Sequence, residues 1–169
     1  MNYVLCGMMG AGKTTIAKSL SARTGRSWLD TDDVIAKKHG KISDIFASHG
    51  EGYFRDLETE LSKSFDKQDG LIISTGGGFV LREENVRALK KSGIIIYLRA
   101  RKETLVSRLK KDGERPLLEG ETSIEEKVEG LLNARSSVYE KAADLVVDVD
   151  DKTPEKIAEE IIISVKNRA

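Results

Sequence analysis

One cysteine among 169 residues leaves no partner for an internal disulfide. That scarcity suits a reducing compartment, and the expected setting is the cytoplasm. Cys6 itself lies in a short apolar run, where a small buried core residue is expected rather than a nucleophile. Excess charge is also missing: 28 basic residues balance 28 acidic ones, for a formal net charge of zero. The basic residues are spread along the chain rather than clustered, which argues against a nucleic-acid partner. No apolar run approaches the ~20 residues that a membrane-spanning helix needs. No leader peptide is expected, because the N-terminus runs straight into a strand and a loop. The two histidines, His39 and His49, stand in polar stretches without ligand-like spacing and read as surface residues. Internal repeats, low-complexity tracts and the guanine-reading pattern Asn-Lys-x-Asp are all absent. What remains is an ordinary balance of 39% apolar and 33% charged residues, expected to form a single domain over 1–169. A monomer is the expectation.

The most informative stretch present is Gly7-Met8-Met9-Gly10-Ala11-Gly12-Lys13-Thr14, which fits the phosphate-loop pattern G-x-x-x-x-G-K-[ST] throughout. The apolar run Tyr3-Val4-Leu5-Cys6 before it reads as a strand, and Thr15-Ile16-Ala17-Lys18-Ser19-Leu20 after it opens a helix. The motif acquires meaning only between a strand and a helix. Its glycines let the backbone turn amides toward one point, and the helix N-terminus adds partial positive charge there. Lys13 can neutralise phosphate oxygens, and the Thr14 hydroxyl can ligate Mg²⁺. A nucleoside triphosphate is the implied ligand.

Further along, strand-like and helix-like runs alternate. Strands are expected at 27–29, 71–74, 94–98 and 145–148, and helices at 13–23, 34–39, 43–65, 83–91, 102–110 and 124–139. Thr153-Pro154-Glu155 has the signature of a helix start: a cap, proline at the first helical position, then an acid. The charged, glycine-containing segment 111–124 interrupts the pattern and reads as a mobile lid. Such alternation implies a parallel sheet covered on both faces, with ligands outside the carboxyl ends of the strands. The phosphate loop, the acidic run Asp30-Thr31-Asp32-Asp33 and Gly76-Gly77-Gly78 each follow a strand, so all three should meet in one cleft.

In the acidic run, Asp30 and Asp32 should share one side of an extended segment, with Asp33 pointing elsewhere. One carboxylate can then hold the metal through water, and the other can accept a proton from an acceptor hydroxyl. Taken alone, this run would read as a helix cap. Three successive glycines leave bare amides for a small polar ligand or a phosphate. On a helix, Glu58 lies three residues from Arg55 and can steady its guanidinium. Arg55 and Arg135 would suit an anionic acceptor if they converged, a point the sequence leaves open. Arg115 falls in the lid, where a cation can stabilise a transferring phosphoryl group. Met8 and Met9 carry no clear message, and Trp28 should pack at the sheet edge.

Together these segments resemble the shikimate kinase family over nearly the whole chain. The resemblance rests on 7–14, Leu29-Asp30-Thr31-Asp32, Asp44-Ile45-Phe46, Phe54-Arg55-Asp56-Leu57-Glu58, the triple glycine, Arg115-Pro116-Leu117-Leu118 and Asn133-Ala134-Arg135. It implies an α/β fold of the nucleoside monophosphate kinase type, with a five-stranded parallel sheet in order 2-3-1-4-5. The implied reaction is phosphorylation of the 3-hydroxyl of shikimate by ATP with Mg²⁺, in chorismate and aromatic amino acid biosynthesis. By the same resemblance Gly10, Ala11, Gly12, Lys13, Thr14 and Thr15 hold ATP, and Thr14 and Asp30 serve the metal. Asp32 contacts the shikimate hydroxyls and is the base candidate. Arg55 and Arg135 clamp the carboxylate with amides of Gly76, Gly77 and Gly78. Phe46 and Phe54 line that pocket within a helical substrate region at about 33–62. Arg115 closes over the phosphates, and Arg108 and Pro154 contact adenine. The alternative is a related small-molecule kinase such as gluconate kinase.

Overall fold

The structure, a computed structural model, describes residues 1–112 and 122–168. Five strands form one parallel sheet: β1 (Asn2–Cys6), β2 (Trp28–Asp30), β3 (Ile72–Ser74), β4 (Gly93–Arg99) and β5 (Leu145–Asp148). Their spatial order is β2-β3-β1-β4-β5, the order that the resemblance implied. β1 lies at the centre and is buried along its whole length, while the β-branched run of β4 is buried from Ile94 to Leu98. A strand covered on both faces needs such continuous apolar character. Trp28 packs on the edge strand, with Lys18 Nζ 5.5 Å above its ring centroid.

The described helices are α1 (Lys13–Thr24), α2 (Thr31–His39), α3 (Ile42–Ser64), α4 (Glu83–Ser92), α5 (Lys102–Asp112), α6 (Ile124–Ala142) and α7 (Pro154–Lys166). The start of α7 follows the sequence signature, for Thr153 accepts a bond from the Lys156 N–H and Pro154 opens the first turn. Several boundaries shift by one to three residues from expectation, and two differences bear on the site. α2 begins three residues early, at Thr31, because Asp30 accepts from the amides of Asp32 and Asp33 and so nucleates the first turn itself. The stretch expected as one helix over 43–65 is broken at Gly50, whose φ of 81° and ψ of 174° leave the helical region.

The main apolar core lies against the sheet and includes Val4, Leu5, Ile16, Leu20, Ile73, Ile95 and Ile96. A second, smaller cluster belongs to α2 and α3: Ile35, Ile45, Phe54 and Leu57, with Phe46 packed against them. Burying a side chain such as Phe54 contributes about 1.5–3 kcal/mol. This satellite cluster lets α2 and α3 stand as a wall beside the carboxyl ends of β2 and β3.

Candidate active site

At the end of β1 the chain must turn sharply beneath the neighbouring strand. A Cβ on Gly7 would sit 2.7 Å from the Leu98 carbonyl oxygen, so only glycine fits. Gly10 and Gly12 have φ of 84° and 91°, in the left-handed region. Gly12 caps α1 without a side chain, and the first turn of α1 holds no acid. The positive end of the helix is therefore left to an external anion. Lys13 Nζ donates to the Gly7 and Met8 carbonyls at 2.7 and 2.9 Å, folding its ammonium back over the loop. From α5, Arg108 donates to the carbonyls of Gly10 and Ala11 at 3.2 and 3.0 Å. Met8 and Met9, uninformative in the sequence, are buried beneath the loop. So is Cys6, whose thiol burial pushes up to about 12, as suits an inert core residue.

The loop forms one side of a cleft of about 660 Å³. Gly10, Gly12, Lys13, Thr14, Thr15, Asp30, Asp32, Gly76, Gly77, Arg108 and Pro154 all line it. At its floor, Asp30 Oδ2 accepts from Thr14 Oγ1 at 2.9 Å and from Ser74 Oγ at 3.1 Å, and the two hydroxyls lie 3.3 Å apart. Oxygen donors of this kind suit Mg²⁺, which takes one or two carboxylates and completes its shell with phosphate and water. Among the described residues, no group of three His, Cys, Asp or Glu side chains could form an all-protein metal cage. Ser74 escaped the sequence reading; its register opposite both Leu5 and Asp30 is what brings it to this point.

The acidic run allows a cap or a chemical role, and Asp30 is a cap that also lines the cleft. Its Oδ1 caps α2, accepting from Asp32 N at 2.9 Å, while Oδ2 faces Thr14 and Ser74. Asp32 stands in the first turn of α2 and not on the extended segment that the sequence predicts. A helix advances by about a third of a turn per residue rather than alternating sides. Asp33, expected to point elsewhere, consequently borders the cleft too.

Asp32 faces the glycine run. A Cβ on Gly76 would lie 2.7 Å from Asp32 Oδ1 and 3.2 Å from Glu58 Oε1. The Gly76 amide donates to Thr31 Oγ1 at 2.9 Å, which holds this close approach. Burial pushes the Asp32 carboxyl above its ordinary range and Asp30 adds to the push, with Lys13 and Arg55 opposing. Glu58 is fully buried, and burial raises its carboxyl to about 7 against the pull of Arg55. Its Oε2 accepts from Arg55 at 2.8 Å, and its Oε1 is buried with no hydrogen-bond partner. Such an oxygen carries a desolvation cost that a proton or a ligand donor would relieve.

The two arginines reach neighbouring glycines. The Arg55 guanidinium, also paired with Glu51 at 3.1 Å, lies against Gly78 so closely that a Cβ there would displace it. Arg135, reaching from α6, has Nη1 3.5 Å from where a Cβ of Gly77 would stand. Four residues beyond Arg135, the Tyr139 hydroxyl donates to the Gly77 carbonyl at 2.6 Å, an interaction absent from the sequence reading. Phe54 is buried in the satellite cluster, and Phe46 packs on it with ring centroids 5.0 Å apart. Arg115 and most of the expected lid lie outside the described residues. His39 and His49 are exposed, as expected.

This arrangement has close counterparts. A sequence model of the shikimate kinase family matches residues 9–166. The shikimate kinase of Thermodesulfovibrio yellowstonii is 45% identical over 162 residues, covering 95% of this chain and 92% of that protein. The structure of Acinetobacter baumannii shikimate kinase in complex with shikimate superposes with a TM-score of 0.92 at 34% identity, covering 99% of this chain and 93% of the other. A Mycoplasma mycoides deoxyadenosine kinase, at 21% identity and a TM-score of 0.66, shares the fold alone, covering 99% of this chain and all of the other. Fold and sequence thus agree along almost the entire length: the chain is a P-loop kinase of the nucleoside monophosphate kinase type and belongs to the shikimate kinase family.

Proposed function

We propose that this chain transfers the γ-phosphoryl group of ATP to the 3-hydroxyl of shikimate, giving shikimate 3-phosphate and ADP. The observation that carries the reading, within this family, is the approach of Arg55 to Gly78 and of Arg135 to Gly77. Two guanidiniums and a bare backbone suit a small carboxylate. Asp32, buried and cleft-lining, is the group to take the proton as the hydroxyl oxygen bonds to phosphorus and the β–γ bridging bond breaks. Its raised range brings it nearer the pKa that serves a base at neutral pH. Because phosphoryl transfer proceeds through a loose transition state, orienting the hydroxyl is as much of the task as removing the proton.

Gly10, Ala11, Gly12, Lys13, Thr14 and Thr15 are the proposed triphosphate cradle, and Arg108 and Pro154 the walls for adenine. Thr14 and Asp30, joined by Ser74, would hold Mg²⁺. When bound, the metal neutralises charge on the phosphates. Phe46 and Phe54 are assigned to the apolar side of the acceptor pocket, and Arg115 to the cover over the phosphates. The buried free thiol of Cys6 suits a reducing cytoplasm. Among the described residues, no helix is long and apolar enough to cross a membrane. The decisive experiment is ADP release from Mg²⁺-ATP with shikimate, gluconate, AMP or no acceptor. Strong stimulation by shikimate alone is expected; stimulation by gluconate instead would transfer the arginine pair to that acid.

A further inference from the structure

The hydrogen bond from Tyr139 to Gly77 joins the core to the one part of the acceptor pocket that has no side chains. Tyr139 is fully buried, its ring tilted against Tyr97 with centroids 5.1 Å apart. A buried phenol needs a partner, and this one reaches out of the core to the Gly77 carbonyl at 2.6 Å. Arg135 stands one helical turn earlier on α6, and its charge bears on the same hydroxyl. The phenol therefore lies between a candidate acceptor arginine and the glycine run it bonds.

The geometry of the peptide unit gives this contact a direction. The bond between Gly77 and Gly78 is trans. In a planar trans peptide the carbonyl and the following N–H point opposite ways. Holding the Gly77 carbonyl toward Tyr139 thus turns the Gly78 N–H away from Tyr139, and the Arg55 guanidinium lies against the same glycine. Glycine itself imposes little restraint on such a peptide, which could flip at low cost without an external hold. The turns that follow, from Phe79 N to Gly76 O at 3.0 Å and from Leu81 N to Gly78 O at 3.1 Å, fix the carbonyls of Gly76 and Gly78 rather than that of Gly77.

We propose that Tyr139 is a positioning residue for the acceptor. Its hydroxyl clamps the Gly77–Gly78 peptide and braces Arg135, so that the Gly78 N–H and the guanidinium are presented together to a carboxylate. The inference rests on the acceptor reading above, but the clamp itself is a property of the ligand-free protein.

Tyr139→Phe tests it, because the ring that packs on Tyr97 is kept and only the hydroxyl is lost. In the ligand-free variant, the backbone order parameter of the Gly78 amide should fall relative to wild type, with those in β1 and β4 unchanged. An unchanged order parameter at Gly78 would overturn the clamp whatever the acceptor proves to be. With shikimate, KM should rise about five-fold, the size expected for one neutral hydrogen bond, while kcat and the KM for ATP stay near wild type. The penalty should vanish with the methyl ester of shikimate, which lacks the carboxylate charge. Equal losses in kcat and in both KM values, or an equal penalty on the ester, would reduce Tyr139 to a packing residue. Wild-type protein inert toward shikimate yet showing the Gly78 effect would sink the acceptor reading and leave the clamp standing.

Discussion

The proposed nucleotide and acceptor sites are made of different material. The proposed nucleotide site is backbone: eight consecutive residues, Gly7 to Thr14, wrapped by a helix N-terminus and closed by hydrogen bonds to their own carbonyls. The proposed acceptor site is side chain: Asp32 from α2, Arg55 and Glu58 from α3, and Arg135 from α6, gathered around a glycine run that contributes space. Backbone binds phosphate generically, because every peptide has an N–H. Recognition of one small acid needs charges at fixed separations, and those come only from elements distant in sequence. The second side is also electrostatically tense, with two carboxyls above their ordinary range and an oxygen left without a partner.

The sharpest way to break the comparison is at Lys13. Lys13→Ala should lower kcat about 10³-fold, the scale of a lost electrostatic stabiliser, with shikimate binding nearly intact. A comparable loss of acceptor binding, measured by calorimetry, would mean the two sides are not separable. Next comes Asp32→Asn, expected to reduce kcat about 10²-fold while ATP affinity holds. Near-normal turnover would remove Asp32 from the proton-accepting role.

Arg55→Ala should raise the KM for shikimate about 30-fold and also cost about 3–5 kcal/mol of stability, because it strands the buried Glu58. The double variant Arg55→Ala/Glu58→Gln then distinguishes the two effects: stability should largely return, and KM should not. If both returned, Arg55 would matter only as the partner of Glu58.

The smallest effect is in pH. A carboxyl raised to about 7 when folded, against 4.5 ordinarily, keeps a proton that the unfolded chain has released. Its contribution to stability is therefore greatest below that window, falls as pH rises through it, and is gone above it. Glu58→Gln should abolish this slope. Melting temperatures of wild type and variant, compared at about pH 5 and pH 8, should shift in favour of the variant at the higher pH. A difference that does not change with pH would mean that Glu58 is ionised in the fold throughout.

How much of this was legible in the sequence follows the same division. The phosphate loop is contiguous, so its eight residues specified the local turn and pointed to a phosphate ligand. Sheet order came from resemblance, since alternation alone fixes the class but not the order. The wrong geometry for Asp32 arose from placing a strand where Asp30 was already starting a helix: an aspartate at a strand end can serve as a ligand or as a cap, and here the cap decided the backbone. Arg55 and Glu58 were readable as a helical pair, yet that Oε1 would be left without a partner depends on Gly76 across the cleft. Ser74 had no local signal at all; only the pairing of β3 between β1 and β2 makes it a neighbour of Thr14.

The satellite cluster of Ile35, Ile45, Phe54 and Leu57 has a consequence for how such a molecule can change over time. Since α2 and α3 bury these side chains largely against one another, substitutions there can alter the shape of the acceptor wall without disturbing the sheet that carries the phosphate loop. The architecture is a fixed engine with an exchangeable fitting, and new acceptor preferences can be tried at the fitting while the chemistry of phosphoryl transfer is left running.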